Sequence, residues 1–335
     1  MSPARIGTAG VWLGVACGLV ATSLSAGTRP PGGVEKYRTS FAECPVPGGG
    51  APLVVLRSFR QGQGFVLAVE PQTLAVELLP EKGLKLHHLS WTKIRKKIAD
   101  TAYGKALAGA ERNGLALQDA GIVHALPAGS GVVLTIDLCP ALRPLDRALF
   151  EAILANFEPE EKPVPLGIAI TGLWMLEHPN DLSWLRQLER DGEIKVTWIN
   201  HSYNHRYSRQ APLSSNFLLE KATDLNGEIL RTEAAMIANG LRPSVFFRFP
   251  GLVSDPELVR RVVSYGLIPV GSDAWLAKGQ APSAGSIVLV HGNGNEPIGI
   301  EKFLKLLSSE RSAIRRRQWL LFDLRDSVSR EEERR

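Results

Sequence analysis

Apolar and polar positions alternate regularly over the second part of the chain. Short apolar runs bounded by turn residues predict strands at 132–137, 166–171, 194–200, 245–249, 267–271, 287–290 and 319–324. Amphipathic stretches between them predict helices at 144–157, 180–191, 213–239, 255–265 and 300–310. Strands that alternate with helices favour a parallel sheet, either open or closed into a barrel. In both arrangements the active site lies at the carboxyl ends of the strands.

The pattern is different before residue 127. Three short β-rich stretches at 52–59, 64–70 and 73–80 precede a helical stretch from Ser90, a suitable N-cap, to Arg112. These elements predict a small α+β domain over residues 27–126. Residues 127–131 have the composition of a linker, and we assign residues 127–325 to the α/β domain and 326–335 to a charged tail.

The amino terminus carries an export signal. Arg5 precedes an uncharged, largely apolar run at 6–26 that closes in the small residues Ser23, Ser25 and Ala26. The run is also long enough for an uncleaved anchor, since spanning a bilayer takes roughly 17–25 residues. We therefore expect residues 1–26 to be a signal peptide or an N-terminal anchor. The protein is expected to be periplasmic or extracellular, with membrane contact only through this segment if it is uncleaved.

Composition narrows the class of protein. With 335 residues, 44% hydrophobic and 22% charged, the chain is neither disordered nor fibrous. The 39 basic and 34 acidic residues leave a net charge of +5, and the basic residues are scattered, so a dedicated nucleic-acid binder is excluded. Cys44 and Cys139 would meet an oxidising compartment after export, which predicts a disulfide between them; the alternative is two buried free thiols.

Polar side chains fall where the predicted strands end. They are Asp137 after the first strand, His201 and His205 after the third, Arg248 after the fourth, Asp273 after the fifth and His291 after the sixth. Two imidazoles four residues apart share one face of a helical turn and suit zinc or a similar divalent metal. The alternative for this pair is a helix start with one capping and one surface histidine.

The other residues of this set have two interpretations each. Asp137 is either a metal ligand or general base, or an N-cap aspartate of the following helix. Arg248 either orients a carboxylate or forms a structural ion pair. His291 is either a packing residue or, paired with Asp273, a general acid.

In order and spacing, these residues resemble the motifs of the polysaccharide deacetylase family. The segment 135–140, TIDLCP, resembles the first motif, TFDDGP, and 201–205, HSYNH, matches the second motif in full. The segments 248–251 (RFPG), 273–275 (DAW) and 289–291 (LVH) resemble the third, fourth and fifth motifs. The resemblance covers about residues 130–325 and implies a distorted (β/α) barrel of about seven strands.

The resemblance also implies a reaction. It implies that a divalent metal, with zinc as the expected ion, is held by His201 and His205, and that Asp137 is the general base oriented by Arg248. His291 then protonates the leaving amine with help from Asp273, while Trp275 and Pro250 contact the substrate. The implied activity is hydrolysis of acetyl groups on an envelope or extracellular polysaccharide.

Leu138 departs from the family pattern, because it stands where the family has its third metal ligand, an aspartate. Three hypotheses follow. In the first, Asp137 itself is a ligand of the metal. In the second, two histidines and water hold the metal while Asp137 stays the general base. In the third, the domain has lost catalysis and serves as a carbohydrate-binding or structural envelope protein. Cys139, where the family has glycine, is either a sulfur ligand or the partner of Cys44.

Overall fold

The computed structural model describes residues 33–46 and 49–330; the predicted export signal and residues 331–335 of the charged tail lie outside these residues. Strands are β1 (Glu35–Cys44), β2 (Leu53–Gln61), β3 (Gln63–Val69), β4 (Val76–Pro80), β5 (His87–His88), β6 (Gly131–Leu138), β7 (Val164–Ile170), β8 (Ile194–Asn200), β9 (Pro243–Phe247), β10 (Ile268–Pro269), β11 (Ala274–Trp275), β12 (Ile287–His291) and β13 (Leu320–Leu321). Helices are α1 (Trp91–Lys97), α2 (Ala102–Arg112), α3 (Arg147–Leu154), α4 (Gly172–Glu177), α5 (Pro179–Arg190), α6 (Leu225–Ala238), α7 (Pro256–Ser264), α8 (Pro297–Arg315) and α9 (Leu324–Val328). Within the described residues, no helix combines the length and apolar character that a membrane span requires.

Two sheets make up the architecture. An antiparallel sheet has the order β4-β3-β2-β1-β5, and a parallel sheet has the order β10-β9-β8-β7-β6-β12-β11, with β13 paired to β6. The parallel sheet forms a curled half-barrel of seven strands with helices, so the predicted α/β fold is confirmed.

Several predicted bounds change for local reasons. The helix expected at 90–112 is two helices, because Thr101 accepts a hydrogen bond from Gly104 N and starts α2 anew. The helix expected at 213–239 begins only at Leu225, after two short 3₁₀ turns. Strand β1 was not predicted, since its half-buried pattern lacks a clear alternation.

The strands of the half-barrel separate two apolar layers. Even-numbered residues of β6, such as Leu134 and Ile136, pack against helices α3, α5 and α8. On the opposite face, Val133 packs in one cluster with Val54 and Leu56 of β2. The antiparallel sheet therefore covers the inner face of the half-barrel and belongs to the same compact unit. The domain boundary near residue 127 stays a prediction.

A buried ion pair adds to this packing. Arg57 on β2 donates to both carboxylate oxygens of Glu233 on α6, at 2.7 and 3.0 Å. Both side chains are at most 2% exposed, and the hydroxyl of Tyr37 also donates to Glu233. Burial raises the pKa of Tyr37 well above its ordinary value, and the Glu233 carboxylate adds to this, so the phenol stays a donor.

The segment 118–125 forms backbone bridges beside two strands of the half-barrel, β10 and β12. Ile122 bridges to Val270, directly after β10, and His124 bridges to Ser286, directly before β12. Gly271 N donates to Ile122 O at 2.9 Å, and Ala125 N donates to Gly285 O at 2.9 Å. A part of the chain that precedes β6 thus connects β10 to β12, and we call residues 118–125 the closing segment.

Candidate active site

Four of the predicted residues lie together at the carboxyl ends of the parallel strands. Asp137 is near the end of β6, His201 follows β8, Arg248 follows β9 and His291 is the last residue of β12. β6 is the common neighbour of β7 and β12, which brings the ends of these strands to one edge.

Arg248 orients Asp137. The Arg248 side chain is fully buried, and its Nη1 donates to Asp137 Oδ1 at 3.2 Å. Its Nη2 donates to the carbonyl of Gly271 at 3.0 Å, which fixes the plane of the guanidinium. The second carboxylate oxygen, Asp137 Oδ2, lies 3.7 Å from His201 Nε2. The carboxylate therefore faces the histidine pair, as the motif order predicts.

The two histidines are neighbours, but they are not on a helix. Residues 201–205 form an irregular loop in which Ser202 and His205 have positive φ angles of 67° and 49°. The rings of His201 and His205 nevertheless lie 4.8 Å apart between centroids. The helical turn expected from the spacing is wrong, because the segment leaves strand β8 directly into a loop; the predicted proximity is correct.

Buried polar side chains shape this loop. Glu228 on α6 accepts hydrogen bonds from the backbone N–H groups of Tyr203 and Asn204, both at 2.8 Å. Asn200 accepts from Ser202 N at 3.0 Å. Sequence reasoning missed both residues, since an acidic residue within a helical pattern gives no sign that it will bind a loop.

His201 has a defined tautomer when neutral. Its Nδ1 lies 2.9 Å from the carbonyl of Arg248, so Nδ1 carries the proton and donates it, which leaves Nε2 with a free electron pair. Burial lowers the pKa of His201, which favours the neutral ring that a metal requires. Nε2 points to the sulfur of Cys139, 3.5 Å away.

Cys139, not residue 138, supplies the third donor of the cluster. Side chains alternate along β6, so Leu138 is fully buried on the helix-facing side with Leu134 and Ile136. Asp137 and Cys139 face the site. In this backbone the side chain at position 138 enters the apolar core, not the side of β6 that carries Asp137.

The donors fit a metal ion. Within the described residues, Cys139, His201 and His205 each offer one ligand atom, and these atoms lie within 4.8 Å of one another. The Nε2 atom of His205 is buried without a hydrogen-bond partner, which is costly unless something binds it. Thiolate and imidazole are the donors that zinc prefers. Asp137, the predicted alternative ligand, lies beside this set.

Cys139 and His291 shift each other's pKa. Burial alone would raise the pKa of Cys139, but the imidazoles of His205 and His291 outweigh it and lower the pKa to about 7. Burial alone would lower the pKa of His291, but Cys139 and Glu296 together raise it well above its ordinary value. The site therefore favours a thiolate beside an imidazolium.

Glu296, rather than Asp273, is the carboxylate beside His291. His291 Nδ1 lies 2.9 Å from Glu296 Oε2, an ion-pair contact without hydrogen-bond alignment. Trp275 Nε1 donates to the same oxygen at 2.7 Å, and the ring of Trp275 lies 6.1 Å from that of His291. Sequence reasoning missed Glu296, which directly precedes α8.

The predicted pairing of Asp273 with His291 is wrong. Asp273 accepts from His124 Nδ1 at 2.7 Å and from Ile287 N at 3.0 Å, at the beginning of β12. His291 lies four residues further along this strand, about 13 Å away at the usual rise per residue. Asp273 therefore holds the closing segment 118–125 against the half-barrel.

The remaining predicted residues have mixed outcomes. Pro250 and Trp275 are buried in the structure. Their predicted contact with the substrate stays a prediction. The predicted disulfide is wrong: Cys44 and Cys139 are free and buried. Cys44 packs with Ala42, Leu53 and Val55, while Cys139 lies in the site.

No family model matches the sequence. Solved structures that this chain resembles include a family 4 carbohydrate esterase from Bacillus anthracis, with 18% identity, a TM-score of 0.45, and 67% of this chain and 91% of that chain covered. Bacillus subtilis PdaA, a family 4 carbohydrate esterase, has 13% identity and a TM-score of 0.44, covering 64% of this chain and 94% of that chain. A family 4 pseudoenzyme from Bacillus anthracis has 15% identity and a TM-score of 0.42, covering 63% and 70%. The solved structures named here are described as members of carbohydrate esterase family 4, and the motifs of this chain resemble those of the polysaccharide deacetylases.

Proposed function

We propose that the protein is an exported, metal-dependent hydrolase that removes acetyl groups from an envelope or extracellular polysaccharide. The observation that carries this proposal is the cluster of Cys139, His201 and His205 beside the Asp137–Arg248 pair, at the carboxyl ends of parallel strands. Export rests on the sequence at 6–26 alone.

Cys139, His201 and His205 would hold the metal, and zinc suits these donors. When bound, the metal would supply Lewis-acid polarisation of the acetyl carbonyl. Asp137 accepts a proton from the attacking water, and Arg248 holds the carboxylate in the orientation that this transfer needs. His291, beside Glu296, donates a proton to the leaving group.

The experiment measures acetate release from N-acetylated oligosaccharides and from O-acetylated polysaccharide. It uses the purified protein before and after chelation, and again after zinc is restored. We expect release that is lost on chelation and recovered with zinc, and that is absent from His201→Ala. Release that persists in the chelated protein and in His201→Ala would contradict the proposal.

A second candidate function is carbohydrate binding without hydrolysis. One observation favours it: the side chain at 138 faces the core, so the segment 135–140 brings one carboxylate, Asp137, to the site, whereas the family motif has two. This candidate predicts retention of the protein on insoluble glycan with no acetate released, with or without zinc.

A further inference from the structure

Exposed apolar side chains concentrate at one end of the half-barrel. Among the described residues, eight large hydrophobic side chains are exposed: Val46, Leu115, Leu117, Leu142, Leu176, Tyr207, Leu213 and Ile298. Five of these follow the carboxyl ends of parallel strands: Leu142 follows β6, Leu176 follows β7, Tyr207 and Leu213 follow β8, and Ile298 follows β12. We call these five residues the apolar rim. The loops that lead into β7, β8 and β12 carry none of the eight, and the connection that leads into β6 carries Leu115 and Leu117.

Leu117 approaches the same end. Ser254, in the loop after β9, donates its backbone N–H to the carbonyl of Leu117 at 3.0 Å. Val46, in contrast, lies in the turn between β1 and β2. It therefore provides an exposed apolar side chain away from the rim.

The rim is fixed in position. His178 Nε2 donates to the carbonyl of Ala141 at 2.7 Å, which ties the loop of Leu142 to the end of the helix that carries Leu176. Arg143 Nη1 donates to the carbonyl of Gly294 at 3.2 Å, which ties the same loop to the one that leads to Ile298. Leu142, fully exposed at 102%, thus stands between Leu176 and Ile298.

The rim also adjoins the candidate active site. Tyr207 stacks on Phe217 with 5.1 Å between ring centroids, and Phe217 meets the ring of His205 edge-on at 5.6 Å. The apolar rim therefore lies beside the candidate metal site, and not on a remote part of the molecule.

Guanidinium groups accompany the apolar tips. Arg143 follows Leu142, and Arg206 and Arg209 flank Tyr207; all three are exposed. Within the described part of the chain, neither Arg206 nor Arg209 has a carboxylate at ion-pair distance. Glu177, beside Leu176, and the half-buried Glu296, two residues before Ile298, are acidic residues at the rim.

We propose that this end of the half-barrel is a docking surface for an anionic lipid bilayer. Separate apolar tips on different loops, interleaved with arginines, suit a surface that enters the headgroup region, where apolar side chains reach the acyl boundary and cations meet lipid phosphates. A protein partner would favour a contiguous apolar patch with aromatic anchors. A glycan chain would favour exposed aromatic faces, yet the two most exposed side chains of the rim are leucines. The proposal does not depend on the proposed hydrolysis.

The test uses the full chain with an environment-sensitive fluorophore attached at Leu142→Cys. Vesicles contain phosphatidylcholine alone or phosphatidylcholine with phosphatidylglycerol. We expect a blue shift of the emission, and quenching by lipid-borne nitroxide, with the anionic vesicles. The matched control is the same label at Val46→Cys, which we expect to be unshifted. The unsubstituted protein, which has the native cysteines Cys17, Cys44 and Cys139, measures background labelling.

Three results would overturn the proposal. In the first, the emission of the label at 142 is unshifted with both kinds of vesicle. In the second, the labels at 142 and 46 shift equally, which indicates general adsorption or tethering through residues 6–26. In the third, the label at 142 shifts with protein concentration in the absence of vesicles, which indicates a second copy of the chain on this face. An equal shift with phosphatidylcholine alone would overturn the role of the arginines. The surface variant Arg206→Gln with Arg209→Gln is expected to reduce the shift with anionic vesicles and leave folding unchanged.

Discussion

The Cys139 Sγ atom lies 3.5 Å from His201 Nε2, whereas the neighbouring side chain of Leu138 is fully buried on the opposite face of β6. This relationship follows from the alternation of side chains along a strand. It makes the sulfur, rather than a second carboxylate, the third donor of the candidate metal site.

Replacing Cys139 by Ser tests this assignment. We expect zinc affinity to fall by on the order of 100-fold or more, because loss of a direct ligand should cost at least as much as loss of the groups that orient ligands. The measurement is competition with a chromophoric chelator. Cys44→Ser is the matched control, since Cys44 is also buried and free but packs in a separate apolar cluster. Equal affinity in both variants and the parent protein would rule out the sulfur ligand.

Replacing Leu138 by Asp separates the family motif from the observed backbone. The new carboxylate would enter the apolar layer between β6 and the helices, so we expect a loss of on the order of 3–5 kcal/mol in the free energy of unfolding. Urea unfolding measures it, and Leu138→Met, expected to cost less than about 1.5 kcal/mol, is the control. A stable Leu138→Asp variant with tighter zinc binding would show that residue 138 reaches the site after all.

Asp137 and Asp273 were both expected to be catalytic, and the structure separates them. We expect Asp137→Asn to lower kcat for acetate release by about 10²–10⁴-fold with zinc content unchanged, since Asp137 is the proposed base. Asp273→Asn should leave kcat near the parent value and lower stability, because Asp273 binds His124 and Ile287 N. The reverse outcome, with Asp273→Asn inactive but fully stable, would return Asp273 to the catalytic group.

The sequence could predict the strand ends but not the contacts across them. Asp137, His201 and His291 were found because parallel strands align their carboxyl ends, a rule that needs no knowledge of loops. Glu228 was missed because it binds a loop that lies 25 residues earlier in the chain, and Glu296 was missed because the turn that places it beside His291 has no repeating pattern of apolar residues. The partner of Asp273 was predicted wrongly. Its partner in the structure, His124, belongs to the closing segment 118–125, whose sequence has no helical or strand periodicity from which its position could be predicted.

The last prediction concerns the pair Arg57 and Glu233, which joins the antiparallel sheet to the half-barrel. Glu233→Gln would leave the buried Arg57 guanidinium without its counter-charge, so we expect a loss of about 3–5 kcal/mol in the free energy of unfolding. The exposed pair Arg260 and Glu257 is the control, and Glu257→Gln is expected to cost less than about 1 kcal/mol.

Unfolding in urea, followed by tryptophan fluorescence and by far-UV circular dichroism, should give one coincident transition in the parent protein, because a shared core and the ion pair of Arg57 and Glu233 couple both sheets. Two separate transitions, with only one of them shifted by Glu233→Gln, would show instead that residues 27–126 fold as an independent domain.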